Sequence, residues 1–247
     1  MQNAVQSLED IADRMFAALQ EDEFVLYFQP IVSCAPRSDG RPLNEIFVRL
    51  QDEDDQLLPP GRFFPLLEEV GLLPYLDRWV VNRLARHVQA GLRIDENWNV
   101  PRYIVNLSNE TLADRDFGNY VLQYADRSYL SDGVLGFDVP RESAAANHES
   151  LQNLMGQLRP YGCSLTVADI DRDEDLSDEI RALDPEFVKL NAISVDLARV
   201  NEITRKCREM RVQTIAEHVE DTEILDHLRR CKIDFAQGFG LAKVAPL

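Results

Sequence analysis

After two closely spaced apolar runs, Phe24–Pro30 and Glu45–Leu50, the chain settles into a regular alternation of short apolar segments and longer stretches of helical period. Short runs rich in branched and aromatic residues read as buried strands, and apolar residues three and four apart read as helices. Strands are expected at Tyr103–Asn106, Leu135–Val139, Ser164–Asp169, Phe187–Leu190, Gln213–Ala216 and Phe235–Ala236. Helices are expected near Phe63–Val70, Leu76–Gln89, Phe117–Arg127, Ala144–Arg159, Leu176–Leu183, Val195–Met210 and Thr222–Arg230. Strands separated by helices pair in parallel, whereas the loop between the first two runs is too short for a crossover helix, so those two lie antiparallel. The sum is an α/β chain folded as a modified (β/α)8 TIM-like barrel with its first strand reversed, for which a length of 247 residues is suitable. Leu8, Ile11, Met15, Phe16 and Leu19 mark an amphipathic helix over Ser7–Gln20 with Ser7 as its cap. Residues 1–20 are therefore read as a lead-in helix or linker and 21–247 as the barrel.

Charge narrows the possible functions. There are 26 Lys+Arg against 43 Asp+Glu, a formal charge of −17, and no basic cluster that would hold a DNA or RNA backbone. A small phosphorylated ligand needs only two or three local cations and stays possible. No segment approaches the roughly 20 apolar residues of a membrane span, and Met1–Asp10 has neither the basic start nor the apolar run of a secretory signal. Cys34, Cys163, Cys207 and Cys231 lack metal-binding spacing and read as reduced thiols of a cytoplasmic protein. The acidic stretch Asp52–Asp55 reads as a solvated loop. Of the four histidines, His87, His148 and His227 are expected on solvent-facing helix surfaces, leaving His218 beside Glu217 near the barrel rim.

Chemistry on such a barrel sits where the strands end at the C-terminal face. Those positions are Asn106, Asp138, Asp169, Lys189, Glu217 and Gln237, with Glu45 added from the second strand. One polar strand end ordinarily meets water, but a whole set converging on one rim suggests a site. Glu45, Asn106, Asp138 and Asp169, with Glu217 and Glu220 as further candidates, form a hard oxygen set that suits Mg²⁺ or Mn²⁺ better than zinc. Such ions beside a lysine favour phosphate chemistry.

The ordered segments Phe28-Gln29-Pro30-Ile31-Val32, Glu45-Ile46-Phe47-Val48-Arg49-Leu50, Asp77-Arg78-Trp79-Val80, Val105-Asn106-Leu107-Ser108, Val188-Lys189-Leu190, Ala216-Glu217-His218-Val219-Glu220 and Gln237-Gly238 resemble the EAL domain family, whose members hydrolyse or bind cyclic di-GMP. The resemblance runs over about residues 20 to 244. It implies metal ligation by Glu45, Asn106, Asp138 and Asp169. It also implies that Lys189 holds the attacking water and a phosphate, that Glu217 is the general base, and that Gln29, Arg49 and Asp77 contact nucleotide. Glu220 and Gln237 match positions that support the site or anchor its loops.

The departures from the family pattern bear on activity. Glu-Ala-Leu reads Glu45-Ile46-Phe47, and the glycine after the base reads His218. The paired-aspartate loop reads Ala168-Asp169-Ile170-Asp171-Arg172-Asp173, without its glycines, and Arg141 stands where an acidic group is usual. Alanine supplies no oxygen, so Ala168 leaves a two-metal site incomplete, while Arg141 would oppose a metal and favour a phosphate. Together the changes point to lost hydrolysis and to a receptor that binds cyclic di-GMP without a metal cofactor. Recognition would fall to Gln29, Phe47, Arg49, Asp77, Glu217 and Gln237, most like FimX-type degenerate members, with a PilZ-type protein effector or a homodimer as possible partners. A weak Mg²⁺- or Mn²⁺-dependent phosphodiesterase giving linear pGpG, through Lys189 and Glu217, is the second reading. A protein-interaction platform that binds no nucleotide is the third.

Overall fold

In a computed structural model describing residues 8–35, 40–51, 56–125, 130, 133–192 and 196–247, ten strands form one sheet in the order β10-β1-β9-β8-β7-β6-β5-β4-β2-β3, and the pairing of β1 with β2 closes it. Eight strands make the barrel: β1 (Phe24–Ser33), β2 (Leu43–Gln51), β4 (Arg102–Asn106), β5 (Leu135–Pro140), β6 (Ser164–Ala168), β7 (Phe187–Asn191), β8 (Gln213–Glu217) and β9 (Phe235–Ala236). The two-residue strands β3 (Leu57–Leu58) and β10 (Ala245–Pro246) add to the end of β2 and to the middle of β1. β1 runs antiparallel to both barrel neighbours, β2 and β9, and the others are parallel in series. The reversed first strand expected from the short connection is thus present.

Helices α1 (Leu8–Gln20), α2 (Pro60–Glu69), α3 (Leu73–Ile94), α4 (Asn109–Ala113), α5 (Phe117–Ala125), α6 (Arg141–Ala146), α7 (His148–Leu158), α8 (Asp178–Ala182), α9 (Leu197–Met210) and α10 (Thr222–Arg230) surround the sheet. The main core lies between strands and helices; Phe24 of β1, for example, meets Phe63 of α2 at a ring distance of 5.4 Å and Trp79 of α3 at 5.9 Å. A second cluster, Ile31, Leu43, Ile104, Phe187, Ile215 and Phe235, fills the lower barrel interior. Full burial of each such side chain contributes about 1.5–3 kcal/mol. Arg102 closes this end by donating two hydrogen bonds to Glu186, at 2.7 and 2.5 Å, with its guanidinium 5.1 Å from the Phe187 ring. The apolar floor matters for function because it leaves the interior above it to polar side chains.

Several elements depart from the sequence reading, each for a local reason. The helix expected over Ala144–Arg159 is two, broken at Asn147, whose side chain and backbone N–H both donate to the Ser143 carbonyl and end α6. α2 starts earlier, at Pro60, where a missing N–H costs nothing in the first turn. α3 extends beyond Leu76–Gln89 at both ends. α8 is shorter than Leu176–Leu183 because Ser177 caps it, accepting from the Ile180 N–H. β6 ends at Ala168 because Asp169 turns left-handed, at φ 58°. His87 does not face solvent; it is half-buried between Trp98 and Tyr103, and burial lowers its pKa. α1 buries Met15 and Ala18. Ser7, Asp52–Asp55, Val195 and the end of the helix expected to reach Arg127 lie outside the described residues.

Candidate functional site

Lys189 is the middle residue of β7, two positions after the floor residue Phe187, so its side chain also points into the barrel, one layer higher. That side chain is 1% exposed, and its ammonium lies 2.8 Å from Glu45 Oε2, against Asp138 Oδ2, and 3.6 Å from Glu217 Oε2. Asn106 Nδ2 donates to Glu45 Oε1 at 3.0 Å, and Gln237 Nε2 donates to Glu45 Oε2 at 2.8 Å and to Gln29 Oε1 at 3.1 Å. Gln29 Nε2 in turn donates to the Ala242 carbonyl at 2.9 Å. Strands β1, β2, β4, β5, β7 and β8 and the loop after β9 therefore converge on one polar layer, buried at Gln29, Glu45, Asp138, Lys189 and Gln237 and open at Asn106 and Glu217.

One ammonium cannot balance three carboxylates. Burial raises the pKa of Glu45, but the charge of Lys189 and hydrogen bonds from Lys189, Asn106 and Gln237 outweigh it and hold Glu45 below the ordinary range. Asp138 has fewer donors: burial pushes it from 3.8 to about 7, against the pull of Lys189 and with added push from Glu45 and Glu217. Burial also raises Glu217, which is opposed by Lys189 and reinforced by Glu45 and Asp169. Burial alone would lower Lys189, yet Asp138, Glu45 and Glu217 hold it well above its usual value. The layer thus keeps a permanent ammonium and an ionised Glu45, and Asp138 gains or loses a proton near neutrality. Asp138 Oδ1, Thr166 Oγ1 and Gln237 Oε1 are buried atoms with no hydrogen-bond partner.

The expected metal-ligand set is only partly assembled. Glu45, Asp138 and Glu217 turn oxygens toward the Lys189 ammonium, Asn106 turns its amide N–H to Glu45, and Ala168 offers a methyl. Asp169 stands exposed on the rim. Among the described residues, no three acidic, histidine or cysteine side chains are disposed to hold an ion. As arranged, this donor set does not fit a divalent cation.

Beside this layer a cavity of about 350 Å³ opens between β2, β4, α2 and α3, walled by Phe47, Phe64, Pro60, Val80, Asp77 and Asn106. Asp77 Oδ2 accepts from Ser108 N–H at 3.0 Å, Ser108 Oγ at 2.8 Å and Thr111 Oγ1 at 2.6 Å, fixing the start of α4, and burial raises its pKa. The Arg49 guanidinium lies 6.0 Å from the Phe47 ring centre and 5.8 Å from that of Tyr27, and donates to the Val48 carbonyl at 2.8 Å. Gln29 and Gln237, expected at the ligand, are buried; Gln237 donates to Glu45 and to Gln29, so that Gln237 holds Glu45 and Gln29 helps hold Gln237. Arg141, expected to favour a phosphate, directs its charge to Asp175, with Nε 3.6 Å from Oδ1, and to Glu142 at 3.5 Å. Asp175 also accepts the N–H groups of Asp171 and Arg172, so this cation braces the loop after β6. Glu220 is exposed, and its backbone packs on Gly240.

Two contributors to the site are not singled out by the sequence reading. Thr166 is polar and faces inward one strand from Asp138, its register partner; the alternation Ser164-Leu165-Thr166 carries that signal. Phe64 walls the cavity; helical spacing marks it as apolar but not as facing a pocket.

His218, directly after β8, has φ 58°, a conformation costly for a residue with a Cβ. His218→Gly is therefore expected to stabilise the chain by about 0.5–1 kcal/mol, the relief being trimmed by the greater unfolded-state freedom of glycine. A higher urea midpoint bears this out; a lower one refutes it.

The EAL domain profile matches residues 12–244. A cyclic di-GMP phosphodiesterase of Shewanella oneidensis, PdeB, is 27% identical over 244 residues, covering 96% of this chain and 28% of that protein. PdeF, a cyclic di-GMP phosphodiesterase of Escherichia coli, is 26% identical over 245 residues, covering 95% of this chain and 32% of its own length. The chain thus spans about a third of these curated relatives. In fold, it is similar to the FimX EAL domain of Xanthomonas citri in complex with c-diGMP, with a TM-score of 0.84, 21% identity, and 97% and 95% of the two chains covered. The FimX EAL domain of Pseudomonas aeruginosa bound to c-di-GMP gives a TM-score of 0.81 at 20% identity, with 96% of each chain covered. No described helix is long and apolar enough to cross a membrane. With a barrel of reversed first strand, a polar layer at its C-terminal mouth and a profile match over nearly its whole length, the chain belongs to the EAL domain family.

Proposed function

We propose that this chain acts in cyclic di-GMP signalling as a receptor, binding the nucleotide at the C-terminal mouth of the barrel with little or no hydrolysis and without a metal cofactor. The observation that carries this reading is the juxtaposition of an apolar cavity at Phe47 and Phe64 with a strand-end set that does not fit a divalent cation. Phe47 and Phe64 supply flat faces for a purine, the Asp77 carboxylate is an acceptor for base N–H groups, and Arg49 supplies charge for a phosphate. Gln237 acts indirectly, by holding Glu45, and Gln29 by holding Gln237. That the similar FimX EAL domains hold c-di-GMP supports the binding half of the reading.

Calorimetric titration with cyclic di-GMP, with and without Mn²⁺, combined with chromatography for linear pGpG, tests it. The expected result is equal binding in both conditions, no product, and affinity lowered about 10- to 100-fold in Phe47→Ala, since stacking on an aromatic ring is worth about 1–3 kcal/mol per base. Absence of binding refutes the receptor and leaves a protein-interaction platform. Two observations favour a weak phosphodiesterase instead: Lys189 and Glu217 lie together at 3.6 Å, and the relatives PdeB and PdeF are cyclic di-GMP phosphodiesterases. Metal-dependent turnover that disappears in Glu217→Gln would establish that second reading.

A further inference from the structure

We infer that the ammonium of Lys189 is itself the resident cation of this site, occupying the point on which Glu45, Asp138 and Glu217 converge, so that a divalent ion can enter only by displacing it.

The geometry places the nitrogen within salt-bridge distance of all three carboxylates, on side chains contributed by β2, β5 and β8. Those carboxylates come from three different directions across the barrel, so their meeting point is the centre of the polar layer rather than its edge. The ammonium cannot readily leave that point. Its side chain is 1% exposed, its backbone is paired to β8 on one side with the β6–β7 ladder running up to Val188 on the other, and acidic oxygens surround its charge. A dication placed on the same oxygens would sit within a few ångströms of the ammonium, where like charges in a poorly solvated interior repel strongly.

The donors left over do not offer an alternative cage. Both oxygens of Glu45 already accept from Asn106, Gln237 or Lys189. Ala168 adds no oxygen, and Asp169 stands out on the exposed rim. The acidic layer thus draws its countercharge from within the chain. This inference is independent of the nucleotide reading, because the ammonium would hold its place in a chain that bound no nucleotide at all.

The corollary is a gain of metal binding. Removing the positive charge frees Glu45, Asp138 and Glu217, which now face the ammonium, to close on the vacated point as a hard oxygen set of the kind Mg²⁺ and Mn²⁺ prefer. Lys189→Met keeps an unbranched apolar stem that ends about where the Lys189 Cε lies and removes the ammonium.

The test is a Mn²⁺ titration of wild type and Lys189→Met without nucleotide, followed by the electron paramagnetic resonance of free Mn²⁺ and by thermal unfolding. Affinity at one site is expected to rise at least tenfold in the variant. Its unfolding midpoint, lowered without metal, is expected to climb by about 5 °C or more in saturating Mn²⁺ while that of wild type stays put. A variant that folds but ignores Mn²⁺ overturns the inference. Should Lys189→Met not fold, wild type and Glu45→Gln decide the matter: tight stoichiometric Mn²⁺ uptake by wild type that is lost in Glu45→Gln overturns the inference, and no such uptake supports it. Neither readout involves cyclic di-GMP, so failure here and failure of receptor binding are separate results.

Discussion

Gly238→Ala is expected to destabilise the chain by about 3–5 kcal/mol and to loosen the polar layer around Glu45 with it. A Cβ at this position would fall 2.2 Å from the Val219 carbonyl oxygen and 2.3 Å from its nitrogen. Those contacts are backbone to backbone, so no side chain can swing aside. The two loops are also stitched together on either side of the glycine: Val219 N–H donates to the Gln237 carbonyl at 2.9 Å, and Gly240 N–H donates to the Val219 carbonyl at 3.0 Å. Relief must come from separating the loop after β9 from the loop after β8. Separation would drag Gln237, whose amide holds both Glu45 and Gln29, and would move Glu217 at the other end of the contact. Gly156→Ala is the control. That glycine sits on the exposed side of α7, where an added methyl would meet nothing within 4 Å, so alanine there is expected to stabilise by about 0.5–1 kcal/mol. Urea unfolding of the two variants beside wild type gives both numbers. A Gly238→Ala midpoint equal to that of wild type would show that the loops are not held at this distance.

The contrast between these two glycines illustrates what sequence can and cannot reveal here. Gly238 stands out for following Gln237 at a strand end, but its need for closeness depends on Val219, far enough along the chain that no local pattern reports it. The same holds across the site. Asn106, Asp138, Lys189 and Glu217 are legible because an apolar run followed by a polar residue is a local signal. Which of them meet is not. Glu45 reaches Lys189 across the barrel interior, and Gln29 meets Gln237 only because the reversed β1 pairs with β9. Arg141 reads as a free cation because Asp175, which it pairs with, lies in a loop with no distinguishing signature. The breaks in regular elements are hidden for a related reason. The apolar spacing through Ala144–Arg159 continues as if for one helix, while the hydrogen bonds of Asn147 decide where the backbone stops being helical.

Stability is expected to fall with rising pH between about pH 4 and pH 7 through Asp138, by about 2–4 kcal/mol. The folded chain holds the proton on Asp138 up to about pH 7, whereas an unfolded aspartate releases it near 3.8. Within that window the native state binds more protons than the unfolded one, so each step up in pH favours unfolding. A shift of this size corresponds to roughly 4 kcal/mol if Asp138 titrates alone. The lower bound allows for the neighbouring Glu217, also pushed up by burial, taking over part of the proton when Asp138 is removed. Glu45 acts in the opposite sense. Its pKa is lowered, so the stability it contributes is present above about 4.5 and lost as the solution becomes more acidic. Lys189 stays charged throughout, because its raised pKa means its contribution is lost only above its ordinary 10.5. Asp77, raised by burial, shares the sign of Asp138, as does the mutual repulsion of a chain at −17. Wild type alone would therefore blend several effects, and the informative quantity is the difference between wild type and Asp138→Asn. That variant keeps the shape and removes the titration, so relative to it wild type is expected to lose stability from pH 4 to pH 8. A difference that stays flat, or grows in favour of wild type over that range, would mean that Asp138 is ionised in the folded chain at acid pH, with Lys189 paired to it rather than to Glu45.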